Sequence, residues 1–188
     1  EATLKRLTRL SERLMQLARA EGGRLRLDTA RDLRPAARIV TEDAARNAAP
    51  GRVRLELPDQ PVLSDLDPDA FGILLRNLIE NALRHGPEDG RIAITLTSGG
   101  TLRVVNDGPV VPPEILSRLT ARFERGGAGN EGSGLGLAIV AAIAERLGST
   151  LTLRSPATGR DQGFEVEIGL PVDAGLAADQ TEPHRPGA

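Results

Sequence analysis

The stretch Asp69–His85, DAFGILLRNLIENALRH, constrains this chain more than any other. Phe71, Leu74, Leu75, Leu78, Ile79, Ala82 and Leu83 recur at helical spacing and form one broad apolar stripe. Asp67-Pro68 opens the helix with a capping residue and a proline suited to a first turn. Asn77, Asn81 and Arg84 stand at i, i+4 and i+7, which places them on neighbouring turns of the other side, with His85 at its edge. Asparagine costs about 0.6 kcal/mol relative to alanine inside a helix. Two of them a turn apart read either as a solvated face or as a ligand face, with amide oxygens for a metal and basic groups for phosphates.

The other elements follow from the same kind of pattern. Residues 1–21 carry Leu4, Leu7, Leu10, Leu14 and Leu17 between charged residues, an amphipathic helix stopped at Gly22-Gly23. It reads either as a bundle or dimer helix or as a terminal helix on its own domain. Arg24–Leu27 is a short strand. Asp28 or Thr29 caps a helix over Ala30–Ala48, unless Pro35 marks its true first turn. Val53–Leu57 and Pro61–Ser64 are strands, and Ile92–Thr97 with Thr101–Val105 is a hairpin through Ser98-Gly99-Gly100. Pro112–Leu119 is a short helix, Leu135–Leu147 a longer one, and Thr150–Ser155 and Phe164–Leu170 are strands. Arg122–Gly134 is a polar, glycine-rich stretch expected to be a mobile loop. Strands with interspersed helices imply an α/β fold, with one mixed sheet covered on one face by helices 30–48, 69–85 and 135–147.

Composition narrows the function. With three Phe and no Tyr or Trp, the core must be aliphatic, and a platform for stacking nucleic-acid bases is missing. A net charge of −2 gives no electrostatic case for nucleic acid or anionic membrane. The absence of Cys excludes disulfides and thiolate metal sites and fits a reducing compartment. No apolar run approaches the ~20 residues that span a bilayer, and no signal-peptide pattern is found. A start at Glu1 rather than Met reads as a piece of a longer protein, and the unpatterned 173–188 segment reads as a disordered tail.

Three further stretches carry candidate chemistry. Gly132-Ser133-Gly134-Leu135-Gly136-Leu137 runs straight into an apolar helix, and a glycine-wrapped helix start suits phosphate. The dinucleotide fingerprint does not fit, because Leu137 stands where its third Gly belongs. The P-loop does not fit either, because Gly127–Ser133 lacks the Lys. Asn106-Asp107-Gly108-Pro109 places an amide and a carboxylate at a strand end, suited to reading a base edge. Arg122-Phe123-Glu124-Arg125 is a charged cluster around one Phe.

In this order, the four stretches make the chain resemble the catalytic ATP-binding domain of sensor histidine kinases. That is a branch of the superfamily that also holds the DNA gyrase B subunit and a heat-shock chaperone ATPase. Asn77-Leu-Ile-Glu-Asn81-Ala is similar to the asparagine box, Asn106–Pro112 to the first glycine box, Arg122–Arg125 to the phenylalanine box, and Gly132–Leu137 to the second glycine box. The resemblance implies a two-layer sandwich, a mixed sheet of about five strands under three helices, spanning 24–172. It makes 1–23 the second helix of the dimerisation and phosphotransfer hairpin. It implies ATP and Mg²⁺ as ligands, with Asn81 giving its amide oxygen to the metal. Asn77 and Arg84 would face the phosphates, with His85 beside ribose or phosphate, and Arg125 would reach the γ-phosphate. The backbone at Gly132, Ser133, Gly134, Leu135 and Gly136 would hold the triphosphate, and Asn106, Asp107 and Gly108 would bind the base.

The implied reaction moves the γ-phosphate to a histidine on a missing hairpin helix. The implied partners are that acceptor helix, a response regulator and a second copy in a full-length homodimer; nucleic acid is not among them. The implied setting is the cytoplasmic part of a membrane-anchored sensor. The chain's own histidines, His85 and His184, do not fit the acceptor, so no autophosphorylation is expected. One departure stands out: Asn106 replaces the Asp that reads the adenine amino group, and Val110 replaces the second Gly, while Asp107 sits one position late. An Asn can accept from the amino group and donate to the neighbouring ring nitrogen. The alternatives are an ATPase, disfavoured because Asn77 stands where such enzymes hold a general-base Glu, a serine kinase acting on a sigma-factor system, and a degenerate module that only binds nucleotide.

Overall fold

The computed structural model describes residues 2–46, 48–120 and 135–172. Its elements, in order, are α1 (Ala2–Gly22), β1 (Arg26–Asp32), α2 (Arg34–Ala45), β2 (Val53–Glu56), β3 (Leu63–Leu66), α3 (Pro68–His85), β4 (Ile92–Leu96), β5 (Thr101–Asn106), α4 (Pro113–Leu116), α5 (Gly136–Leu147), β6 (Leu151–Arg154) and β7 (Phe164–Gly169). Period-two alternation builds the main sheet, whose order is β2-β4-β5-β7-β6. β2 pairs with β4 in parallel and every other pair in it is antiparallel. The register lines up Leu55, Ile94, Val104, Val166 and Leu153 in one apolar row across all five strands. The helix layer closes over that row.

α3 lies centrally in the helix layer, against α2, α5 and strands β4 and β5. Phe71, Leu74, Leu75 and Ile79 are fully buried, so the stripe read from the sequence is the interface with the sheet. Asp67 caps α3 by accepting the N–H of Asp69 at 3.0 Å. The expected α/β architecture and the three covering helices are therefore present.

Two strands do not join the main sheet. β1 and β3 pair with each other as a separate antiparallel ribbon, with a break in register between Arg26 and Arg31. β1 runs on to Asp32, through the expected caps Asp28 and Thr29, so α2 begins later than the sequence reading placed it. The capping carboxylate belongs to Asp32 instead: its Oδ1 accepts the N–H groups of Arg34 and Val62, each at 3.1 Å. Pro35 lies in the first turn, the alternative left open above. Burial raises the Asp32 pKa, but the hydrogen bonds from the Arg34 side chain and the Arg34 and Val62 backbones outweigh it, and the net shift is downward.

α1 packs along α5. Leu17 and Ala20 are buried there, and Arg146 Nη1 donates to the Ala20 carbonyl at 3.0 Å. Among the described residues, no helix is long and apolar enough to cross a membrane.

Candidate nucleotide site

The end of α3 meets the end of β5. α3 stops at His85 because Gly86 turns extended (φ −83°, ψ 157°) while its N–H still reaches the Ala82 carbonyl at 2.9 Å. A Cβ on Gly86 would sit 2.9 Å from that carbonyl oxygen, 3.1 Å from the Asp107 oxygen and 3.3 Å from Asn106 Nδ2. Only glycine lets the two segments approach this closely. Gly108 follows with φ +151°, and its own Cβ position would lie 3.7 Å from both Asn106 Nδ2 and the His85 carbonyl oxygen.

Between these two glycines sits the Asn106 side chain, 3% exposed. Its Nδ2 donates to the Asp107 carbonyl at 2.8 Å. That bond sets the amide's orientation, because the reverse would put oxygen against oxygen. One of the two N–H groups that the sequence reading assigned to the ring nitrogen is therefore engaged within the protein, and Oδ1 is the half that can accept from a ligand. Asp107, the alternative base reader, is held at both oxygens: Oδ2 accepts the Arg91 N–H and Oδ1 accepts Arg160 Nη1, each at 2.8 Å. The Gly108 carbonyl accepts the N–H of Gly163 at 2.8 Å, and the N–H of Val111 donates to Ser155 Oγ at 2.9 Å. The β6–β7 turn thus anchors the base-end loop. Glu165 in turn holds that turn through the Thr158 backbone and hydroxyl and through Arg154.

The four residues read as one polar face of α3 are not equivalent. Arg84 and His85 are exposed and Asn81 is half-buried. Asn77 is 1% exposed, donating to the Ile73 carbonyl at 2.7 Å and to Gln16 Oε1 of α1 at 3.2 Å. α1 covers the position that the helical wheel left open. Partial desolvation of the ring, and then the Arg84 charge, lower the His85 pKa below its ordinary value.

α5 begins at Gly136 and packs against α3; Leu135, just before it, is fully buried. Arg125, Gly132, Ser133 and Gly134 lie outside the described residues, as do the expected mobile loop and the 173–188 tail. Among the described residues, no group of three or more His, Cys, Asp or Glu could hold a metal. An amide oxygen such as that of Asn81 is a hard donor that suits Mg²⁺ only when the ion's other ligands are waters and phosphates. That donor set fits an ion arriving with a nucleotide. Sequence reasoning missed Gly86 as a packing glycine and Arg52, Arg91 and Arg160 altogether. The glycine alone left a signal, directly after the helix.

Residues 66–174 match the family model described as histidine kinase-, DNA gyrase B- and HSP90-like ATPase. The sensor protein QseC of Salmonella typhi is 34% identical over 178 residues, 89% of this chain and 37% of its own length. The signal transduction histidine-protein kinase AfsQ2 of Streptomyces coelicolor is 33% identical over 180 residues, 94% of this chain and 32% of its own. The chain thus spans about a third of these relatives. Among solved structures, a mycobacterial sensor histidine kinase, MprB, superposes with a TM-score of 0.65 at 25% identity, covering 76% of this chain and 97% of that one. The cytoplasmic segment of QseC shares the fold, with a TM-score of 0.59, 23% identity and coverage of 90% and 95%. With its α3 helix meeting the end of β5 across Gly86, and with residues 66–174 matching the family model, the chain belongs to the histidine kinase-, DNA gyrase B- and HSP90-like ATPase family.

Proposed function

We propose that this domain holds Mg-ATP between the C-terminal half of α3 and the start of α5, and presents its γ-phosphate to a histidine on a hairpin helix of the same kinase. The observation that carries this reading is the Asn106 amide, buried between Gly86 and Gly108 with its acceptor half left for a ligand. An acceptor there suits the 6-amino group of adenine and opposes the 6-oxo group of guanine.

Phosphoryl transfer asks the protein mainly for positioning and charge neutralisation. The bond from the γ-phosphorus to the bridging oxygen breaks, a nitrogen–phosphorus bond forms on the imidazole, the displaced imidazole proton goes to solvent, and ADP leaves. Arg84 and Arg125 supply cationic charge to the triphosphate, and Asn77 orients it once free of Gln16. The backbone of Gly132, Ser133, Gly134, Leu135 and Gly136 cradles the phosphate oxygens at the N-terminus of α5. Asn81 holds the ion, which when bound neutralises phosphate charge. In this reading 1–23 is the second hairpin helix, the full kinase is a homodimer, a response regulator takes the phosphoryl group, and the domain works on the cytoplasmic side of a membrane-anchored sensor.

Calorimetry tests the binding step: Mg-ATP should bind, and Asn81→Ala should weaken it about tenfold, the cost of one good ligand contact. For the transfer step, the chain is mixed with a longer polypeptide that carries the acceptor helix, together with radioactive ATP. Labelling of that helix is the expected result. Steady phosphate release by the isolated domain would instead favour the ATPase reading.

A further inference from the structure

Carbonyl groups from the end of α3 and the loop after it converge on a residue that neither the apolar pattern nor the nucleotide motifs single out. Arg52 stands in the turn before β2. Its N–H donates to the Ala49 carbonyl at 3.1 Å, and its own carbonyl accepts the N–H of Ile92 at 2.8 Å, so its backbone is fixed at the first rung between β2 and β4. From there the side chain reaches the end of α3. Nε donates to the Gly90 carbonyl at 3.0 Å, and Nη2 donates to Pro87 at 2.6 Å, with the Leu83 and Gly86 carbonyls at 3.3 and 3.4 Å.

Leu83 is one of the last four α3 residues, whose carbonyls a helix end leaves without intrahelical partners, and the guanidinium also places a cation near the negative end of the helix dipole; the Gly86, Pro87 and Gly90 carbonyls belong to the loop that follows. Arg52 thereby reaches both ends of the 86–90 loop, at Gly86 and Pro87 and at Gly90. That loop packs against Asn106: the Gly86 backbone lies close to Asn106 Nδ2 and the Asp107 carbonyl. Its far end delivers the Arg91 N–H to Asp107 Oδ2, while the Asp107 N–H returns to the Arg91 carbonyl at 3.1 Å. A shift of the loop therefore moves both the Asn106 amide and the carbonyl that sets its orientation.

We propose that Arg52 is a positioning residue for the base end of the nucleotide cleft, acting through the 86–90 loop to keep the Asn106 amide oxygen aimed at the ligand. The inference rests on the nucleotide reading above but concerns a different residue. Arginine suits the role because its planar fork serves several acceptors at once, whereas lysine is a point charge. Lysine at this position would keep the charge at the helix end and lose the convergence on the loop.

The full chain is compared with Arg52→Lys and Arg52→Gln in two measurements. The first needs no nucleotide: hydrogen exchange of the Asn106 side-chain amide, followed by NMR, should be slow in the unaltered protein and about tenfold faster or more in both variants. The second is calorimetry with ATP and with inosine triphosphate, its 6-oxo counterpart. Arg52→Lys should weaken ATP about tenfold and inosine triphosphate little, so the preference for ATP shrinks. Leu55→Ala, which thins the packing of the same strand, is the control; it should lower the melting temperature and leave the preference unchanged. Arg52 variants that melt earlier with the same ATP preference would reduce Arg52 to scaffolding and overturn the proposal. Failure of the unaltered protein to bind ATP removes the nucleotide reading and is seen before any variant is compared. Unchanged Asn106 exchange in both variants removes the positioning claim whatever the unaltered protein binds.

Discussion

Two regions flank the candidate site and are held in different ways. At the base end, His85–Gly90, Asn106–Gly108 and Ser155–Gly163 are tied by backbone hydrogen bonds, by the Arg52 fork and by the two-sided grip on Asp107. At the other end α1 rests on α5 and α3 through Leu17, Ala20, one Gln16–Asn77 bond and one Arg146 bond, while Leu14 and Met15 stay exposed. The first region is held by several ties that converge on the 86–90 loop and on Asp107. The second is a helix seated on its neighbours by side-chain contacts rather than by strand pairing.

Asn106→Asp should break the first region most sharply. A carboxylate there faces the Asp107 carbonyl with no proton between them, so the variant does not restore a better base reader. ATP affinity should fall on the order of a hundredfold, as read by calorimetry, from the lost bond and the uncompensated charge. A gain in affinity would show that the amide is not oriented by Asp107.

Leu17→Ala tests the second region. The side chain is 6% exposed, and its truncation should ease local opening of α1 by about 2 kcal/mol. Hydrogen exchange should rise in α1 and stay unchanged in β5. A uniform rise across both would mean that the two regions open as one unit.

Gly86→Ala is the smaller test of close fit at the base end. The added methyl meets two carbonyl oxygens, at 2.9 and 3.1 Å, and should cost about 1–2 kcal/mol of stability in chemical denaturation, with weaker ATP binding.

The smallest effect is a pH dependence. The His85 pKa is lowered in the folded state by desolvation and by Arg84, so above the ordinary value of 6.5 the ring is neutral in both states and costs nothing. As pH falls through 6.5 towards the folded value, the unfolded chain takes up the proton first and stability declines. Asp32 and Glu165, also lowered, lose their contributions only below the ordinary carboxylate range of about 4. His85→Gln should therefore flatten the fall in melting temperature as pH drops below 6.5 and leave the acid limb intact.

Much of the fold was legible because its signals are periodic. The α3 stripe and the alternation in β4, β5 and β7 each repeat often enough that one residue does not change the reading. β1 was misjudged because it lacks that alternation, running exposed through Asp28 and Thr29. Its partner β3 supplies what the local pattern does not, and only that pairing shows Asp32 to be the cap. The candidate site was readable only as ordered motifs, Asn77, Asn81 and Asn106, while most of the glycine run lies outside the described residues.

The order and spacing of those motifs, with the aliphatic periodicity, determined from sequence alone an α/β sandwich with a candidate nucleotide site at its helix layer. The tertiary structure decided which atoms of those residues are left for a ligand. Asn77 looks open on a helical wheel and is buried by a helix about sixty residues earlier in the chain. Asn106 looks bifunctional as an amide and has one of its two N–H groups taken by a neighbouring carbonyl. Arg52 carries no motif and gathers carbonyls more than thirty residues away. A side chain's type is local, but its free hydrogen-bonding valence depends on whatever the fold packs against it.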